Sequence, residues 1–312
     1  MKSNVIILFP VMTMKQKLKG SLALLLATTL WGTAFVAQSQ GMEHIGPFTF
    51  QAIRCLMAPV ALAPLIALLE FRELKNYFIK WNQPRLWKSG LLCGLALFAA
   101  TSLQQMGIVY TDAGKAGFIT AMYIVLVPIF GIFLGRKPGI RLLFSIFIAV
   151  AGMYLLCGVG VTSMNVGDLL ILGGAVAFAV HILLVDKLCR DVDGLRLNCV
   201  QALVVGILSA VCMALTESPN LGSILSCKWS LLHAGVLSMG VAYSLQIIGQ
   251  KHVEPAGASL IMSMESVVAV IAGWLILNQQ LNVYEGMGCV LIFFAVILSQ
   301  LPSHRKKGQN SC

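Results

Sequence analysis

The sequence predicts an all-α integral membrane protein of ten transmembrane helices, arranged as two inverted five-helix repeats. Three observations predict it. The 312-residue chain is 58% hydrophobic and only 11% charged, with a mean hydropathy of +0.86, whereas soluble globular proteins hold roughly 45–50% apolar and 25% charged residues. Apolar runs of about 20 residues recur along it, the length that a helix rising ~1.5 Å per residue needs to cross ~30 Å of hydrocarbon. A mixed polar and apolar text, "TSLQQMGIVYTDAGKAGFITAM" from Thr101, returns as "YSLQIIGQKHVEPAGASLIMSM" from Tyr243, 142 positions later.

In chain order the spans are placed at 20–39, 48–69, 88–108, 114–135, 140–159, 167–186, 195–216, 230–250, 256–277 and 283–301. The first and second are separated by "GMEHIGP", the third and fourth by "YTDAG", and the fourth and fifth by "GRKPG". The sixth and seventh are separated by "CRDVDG", and the eighth and ninth by "HVEPAG". Each linker is short and carries the Gly, Pro or Asp that ends or starts helices. Basic residues test this threading independently, because cytoplasmic loops of membrane proteins are enriched in Lys and Arg. With the N-terminus inside, all but Arg54, Lys115 and Lys228 of the 22 Lys and Arg residues fall in cytoplasmic segments. The net charge of +10 therefore reads as topology in a bacterial cytoplasmic membrane, with both termini cytoplasmic and the basic loops facing an anionic leaflet. It is spread over short loops without a basic stripe or aromatic platform, so no nucleic-acid partner is expected.

The chain divides into a cytoplasmic N-terminal segment (1–19), a first repeat (20–159), a second repeat (167–301) and a cytoplasmic basic tail (302–312). The opening "MKSNVIILFPVM" has too short an apolar run and no small-residue cleavage site, so it is not read as a signal peptide. Met12 and Met14 are alternative starts, and a start at Met14 leaves a compact basic N-terminus. The nine cysteines show no C-x-x-C pairing and no His at zinc-ligand spacing. Those within spans (Cys55, Cys93, Cys157, Cys199, Cys212, Cys289) read as small apolar residues, and no metal site is expected.

Five spans per half is an odd number, so the second half enters the membrane from the opposite side. That construction is common in secondary transporters, where the substrate site lies near the midplane between the repeats. The stretches "LLLATTLWGTAFVAQSQGMEHIGPFTFQAIR" (24–54), "GKAGFITAMYIVLVPIFGIFLGRKPGIR" (114–141) and "PAGASLIMSMESVVAVIAGWLILNQQL" (255–281) resemble the EamA-type members of the bacterial drug/metabolite transporter superfamily. The resemblance implies a ten-helix fold of two inverted repeats and, commonly, export of amino acids or other small metabolites. The sequence departs from the family where members often carry a Gly-Glu pair: Arg136 and Lys137, and Asn278 and Gln279, stand there. No role of that carboxylate carries over.

Polar groups inside spans are costly and therefore functional suspects. Arg54 and Glu265 lead them, at depths that differ by only about 5 Å when each residue advances ~1.5 Å. On one reading the Arg54 guanidinium forks a substrate carboxylate while Glu265 receives an ammonium or a proton. On the other they form a structural ion pair, or Arg54 reaches helix-end carbonyls and the outer interface. Gln104 and Gln246, related by the repeat, either face the cavity or bond between helices. Trp31, Tyr123, Tyr243 and Trp274 are either aromatic walls of the cavity or packing and interfacial anchors. His181 either relays protons together with Glu265 or satisfies a carbonyl. Gly90 with Gly94 and Gly131 with Gly135 form G-x-x-x-G pairs suited to close helix contact, and Pro128 is expected to kink the fourth span.

An enzyme is not expected, since neither clustered carboxylates for a metal nor a paired nucleophile and base occurs. A P-loop is lacking, so no ATP and no cofactor are expected. The partners are a small-molecule substrate and the lipid bilayer. The reading is a secondary transporter of small metabolites such as amino acids. The alternatives are a multidrug or nucleoside efflux carrier and a passive channel.

Overall fold

The computed structural model describes residues 13–71, 74–111, 113–158, 164–277 and 282–301. The starts at Met1 and Met12, the tail 302–312, Asn278 and Gln279, and the side chain of Cys157 lie outside the described residues. Among the described residues the secondary structure is helical. Among the described residues nine helices are long and apolar enough to span a bilayer, and the shorter apolar helix Ile140–Leu156 supplies a tenth.

The first span is α1 (Met14–Met42), opened by a capping box in which Thr13 and Gln16 satisfy each other's backbone N–H groups. Pro47 pre-sets the first turn of α2 (Pro47–Leu69). A short amphipathic helix that the sequence reading did not anticipate, α3 (Leu74–Trp81), follows. The third span, α4 (Pro84–Ile108), starts four residues earlier than expected because Pro84 can open a helix. The fourth span is two helices, α5 (Ala113–Thr120) and α6 (Tyr123–Phe133). The fifth is α7 (Ile140–Met153), which continues as a π-helical turn over Tyr154–Gly158.

In the second half, α8 (Val166–Leu188) begins with a capping box between Asn165 and Asp168. Asp193 caps α9 (Gly194–Thr216). A short α10 (Leu221–Ser226) precedes the eighth span, which comprises α11 (Lys228–Leu232), a ten-residue π-helical segment (His233–Ala242) and α12 (Tyr243–Gln250). The ninth span is again two helices, α13 (Pro255–Met262) and α14 (Met264–Leu277), and α15 (Val283–Gln300) completes the set.

Pro128, expected to kink the fourth span, lies inside α6, where its ring removes one i→i−4 hydrogen bond. The fourth span also breaks at Ala121 and Met122, where Met122 N–H donates to Ile119 in a tightened turn. The ninth span breaks at Ser263, the position 142 residues on from Ala121. Both breaks sit where the span passes the central cavity, so the text that repeats in the sequence also repeats a backbone irregularity.

Packing pairs the halves. α1 packs on α12 and the π segment as α8 packs on α4, and α1 packs on α14 as α8 packs on α6. α2 meets α9, and α7 meets α15. Three of these seams are glycine on glycine: Gly20 with Gly249, Gly107 with Gly167, and Gly152 with Gly288. A Cβ on any of the six would lie 2.5–3.0 Å from its partner's carbonyl oxygen, so only glycine permits these approaches. Gly90 and Gly94 likewise seat Val200 and Val204 of α9. Gly131 and Gly135 do not mediate a helix contact: nothing lies near Gly135, whose φ of 80° ends the helix in the left-handed region.

The helix ends are tied by ions. On the face where α1 begins, Arg196 is buried against the rings of Tyr77 and Trp81, 5.4 Å from each centroid. It forks Glu70 with Nη1 to Oε1 at 3.1 Å and Nη2 to Oε2 at 2.5 Å. Nearby, Arg136 and Arg190 reach Asp186 at 2.6 and 3.4 Å, and Arg85 pairs with Asp191. At the opposite end of the spans, Glu217 accepts from the backbone N–H groups of Phe48 and Thr49, both at 2.8 Å, capping α2. Lys115, an exception to the basic bias, pairs with the fully buried Asp168 at 2.6 Å.

Candidate functional site

The spans converge on one cavity holding about 520 Å³ of atom-free space, the opening at its mouth included. Trp31 and Gln38 come from α1, Arg54 from α2, Gln104 from α4, and Thr120 and Tyr123 from the two sides of the break in the fourth span. His181 comes from α8, Ser238 from the π segment, Tyr243 and Gln246 from α12, and Glu265 from the turn after Ser263. The broken spans thus place Tyr123 and Glu265, 142 residues apart, against one another: the Tyr123 hydroxyl donates to Glu265 Oε1 at 2.9 Å.

The structure brings eight of the nine expected side chains to this cavity: Arg54, Glu265, Gln104, Gln246, Tyr123, Trp31, Tyr243 and His181. The ninth, Trp274, is elsewhere. It stands on the outer surface of α14, 49% exposed, because nine residues beyond Glu265 the helix has turned that face away from the cavity.

Arg54 and Glu265 are 4% and 5% exposed, and among the described residues neither is in an ion pair. Arg54 Nη1 instead donates to Gln38 Oε1 at 2.8 Å, its Nε has no partner among the described residues, and its guanidinium lies 5.8 Å from the Phe50 ring centroid. An arginine held by one neutral amide keeps donors available for a bidentate acid group. Glu265 accepts from Tyr123 and, among the described residues, has no cation beside it. An ionised carboxylate buried in that way is costly unless a positive charge or a proton arrives with the ligand. Gln104 donates to Thr120 Oγ1 at 3.0 Å. Trp31 and Tyr243 meet edge to face with centroids 4.9 Å apart, an arrangement that stiffens the apolar wall.

Sequence reasoning missed Gln38, Thr120 and Ser238 on the wall, and Asn198 and Gln201 behind it. Gln201 Oε1 lies 3.0 Å from His181 Nε2, and Gln201 Nε2 donates to Asn198 Oδ1 at 2.9 Å. The signal was present: four uncharged amides (Gln38, Gln51, Asn198, Gln201) interrupt otherwise apolar spans, where an unbonded polar group is expensive. Among the described residues no cluster of three or more His, Cys, Asp or Glu side chains is placed to hold a metal.

Comparison with known proteins agrees with this architecture. The model of the EamA-like transporter family matches residues 18–158 and again 165–301. An uncharacterized transporter of Archaeoglobus fulgidus is 28% identical over 290 residues, covering 92% of this chain and 87% of its own. YoaV of Bacillus subtilis, an uncharacterized transporter, is 21% identical over 93% of this chain and 99% of its own. YedA of Escherichia coli K12, an uncharacterized inner membrane transporter, is 26% identical over 87% of each. A crystal structure superposes with a TM-score of 0.75 at 18% identity, covering 90% of this chain and 96% of that one; at that identity it speaks for the fold alone.

Proposed function

Because the chain belongs to the EamA-like transporter family, within the drug/metabolite transporter superfamily, we propose that it is a secondary carrier that exports small zwitterionic metabolites such as amino acids. The membrane is the bacterial cytoplasmic membrane, with both chain termini on the cytoplasmic side. Residues 20–159 and 167–301 act as inverted repeats, and exchanging their roles exchanges an inward-open for an outward-open cavity. The observation that carries the substrate class is the pair Arg54 and Glu265: opposite charges, both buried in one cavity, bonded to Gln38 and Tyr123 and not to each other. Arg54 binds the ligand's acid group and Glu265 its ammonium, or a proton when the ligand has left. Such a ligand satisfies both charges at once, which neither an anion nor a cation alone does.

The aromatic wall of Trp31, Phe35, Phe178 and Tyr243 supports a second reading, efflux of flat or lipophilic solutes such as nucleosides or drugs, which stack on such surfaces. Counterflow distinguishes these readings and separates a carrier from a channel. Proteoliposomes preloaded with an unlabelled amino acid take up the labelled one transiently and saturably if the protein is a carrier for it. Preloading with nucleosides tests the second reading. Linear, non-saturating flux in every case is the behaviour of a channel.

A further inference from the structure

Four buried side-chain atoms on the cavity residues lack partners among the described residues: Trp31 Nε1 and Arg54 Nε, which are donors, and Gln246 Oε1 and His181 Nδ1. The first two suit a ligand acid group. The character of the last depends on which ring nitrogen carries the proton, and the hydrogen-bond network behind the cavity decides it.

The chain of bonds starts at the π segment. The carbonyl oxygens of Met239 and Gly240 each lie 2.9 Å from the side-chain amide of Asn198. A carbonyl only accepts, so the atom facing both is the Asn198 nitrogen. The Ser244 hydroxyl, whose own proton goes to Gly240 O at 2.7 Å, also lies 2.9 Å from that nitrogen, so the two N–H groups are shared among three acceptors. Asn198 therefore turns its oxygen toward Gln201, which must present Nε2, at 2.9 Å. Gln201 then has only Oε1 to offer His181 Nε2, at 3.0 Å. That contact is a hydrogen bond only if His181 Nε2 carries the proton, and in the neutral ring Nδ1 is then a bare lone pair.

We infer that His181 is a ligand-contacting, specificity-determining acceptor: its Nδ1 takes a ligand N–H, and Asn198 and Gln201 are positioning residues that set its polarity from the π-segment carbonyls. The inference rests on the carrier reading and deepens it. An ammonium received by Glu265 has further N–H groups to place, and His181, which lines the same cavity, accepts one. A solute with the acid group but no amino group leaves that lone pair buried and unpaired. A site built to bond a ligand N–H rejects the analogue that lacks it more strongly than an apolar pocket rejects a shape change.

The test has two arms. In protein labelled with ¹⁵N-histidine, which has only five histidines, the His181 signals are identified by their loss in His181→Asn. The expected result is a protonated Nε2 and an unprotonated Nδ1 in wild type, with the fixed tautomer lost in Gln201→Leu; a protonated Nδ1 in wild type overturns the inference. The second arm measures counterflow of labelled L-leucine in competition with unlabelled L-leucine or 4-methylpentanoate, which lacks only the amino group. Wild type should prefer leucine by about tenfold or more, from one lost hydrogen bond to a charged group. His181→Phe should lower that preference about tenfold, and His181→Asn, whose amide oxygen sits near the Nδ1 position, should restore most of it. An unchanged preference in His181→Phe, with leucine counterflow intact, overturns the contact while leaving the carrier reading standing. No counterflow of leucine or of any other amino acid in wild type overturns both, and the histidine spectrum then reports separately on the Asn198–Gln201–His181 hydrogen bonds.

Discussion

Replacing Glu70 with glutamine tests the ionic clamp that ties α3 and the end of α2 to the start of α9. The hydrogen bond from Arg196 holds the Glu70 carboxyl well below its ordinary range, from 4.5 down to about 2. Lys80, 2.6 Å from Glu70 Oε1, adds to the effect. A depression of that size, at ~1.36 kcal/mol per unit, corresponds to ~3 kcal/mol of stability at neutral pH. The carboxylate is 18% exposed, and solvent screening brings this to ~2 kcal/mol. The sign follows from linkage. A carboxyl with a lowered folded pKa stabilises fully above about 4.5 and loses that contribution as the pH falls toward about 2. Arg196 is 1% exposed and in Glu70→Gln keeps, among the described residues, only Asp193, at 3.4 Å, as an ion partner. The assay is thermal unfolding in detergent, followed by a thiol-reactive fluorophore that reports exposure of the buried cysteines Cys55, Cys93, Cys189, Cys199 and Cys227. Glu70→Gln should unfold on the order of 5 °C lower at pH 7, with the gap to wild type closing between about pH 4.5 and pH 2. Equal midpoints at pH 7, or a gap that stays constant on acidification, would refute the clamp.

Three further outcomes follow from the packing. Glu217→Gln removes the charge that caps α2 at Phe48 and Thr49 and should cost ~1 kcal/mol in the same thermal assay. Gly288→Ala puts a methyl carbon 2.5 Å from the carbonyl oxygen of Gly152 and should cost ~1–3 kcal/mol or more by forcing α7 and α15 apart; a wild-type midpoint would show that this seam is loose. Trp274→Ala changes an exposed side chain outside the cavity, so counterflow should keep its wild-type rate.

Much of this architecture was written in periodicity and punctuation. The spans were legible because lipid demands ~20 apolar residues per crossing, and their starts because Pro47, Asn165 and Asn282 are helix openers by simple chemistry. The cavity was legible in part: Arg54 and Glu265 stand out because charge inside a span is expensive, and Tyr123 followed from its offset to Glu265. What escaped depended on rotation and on distant partners. Trp274 differs from Trp31 only in which way its helix face turns. The π segment at His233–Ala242 carries no compositional mark. Asn198 and Gln201 acquire meaning only once α9 is packed against α2, α4 and α12, which brings them to His181 and to the carbonyls of Met239 and Gly240. α3 was hidden because its eight residues are too few and too mixed to resemble a span.

The central claim, a carrier whose cavity binds both charges of its solute through Arg54 and Glu265, is tested most directly by one comparison. Counterflow of labelled amino acids into preloaded proteoliposomes is measured for wild type, Arg54→Ala and Glu265→Gln, each checked for folding by the cysteine unfolding assay. The account predicts saturable counterflow in wild type and a loss of roughly a hundredfold in Arg54→Ala, the size of a lost charge-assisted pair of about 3 kcal/mol. It predicts a comparable loss in Glu265→Gln. Counterflow that persists undiminished in both variants would contradict it and return the two residues to a structural role.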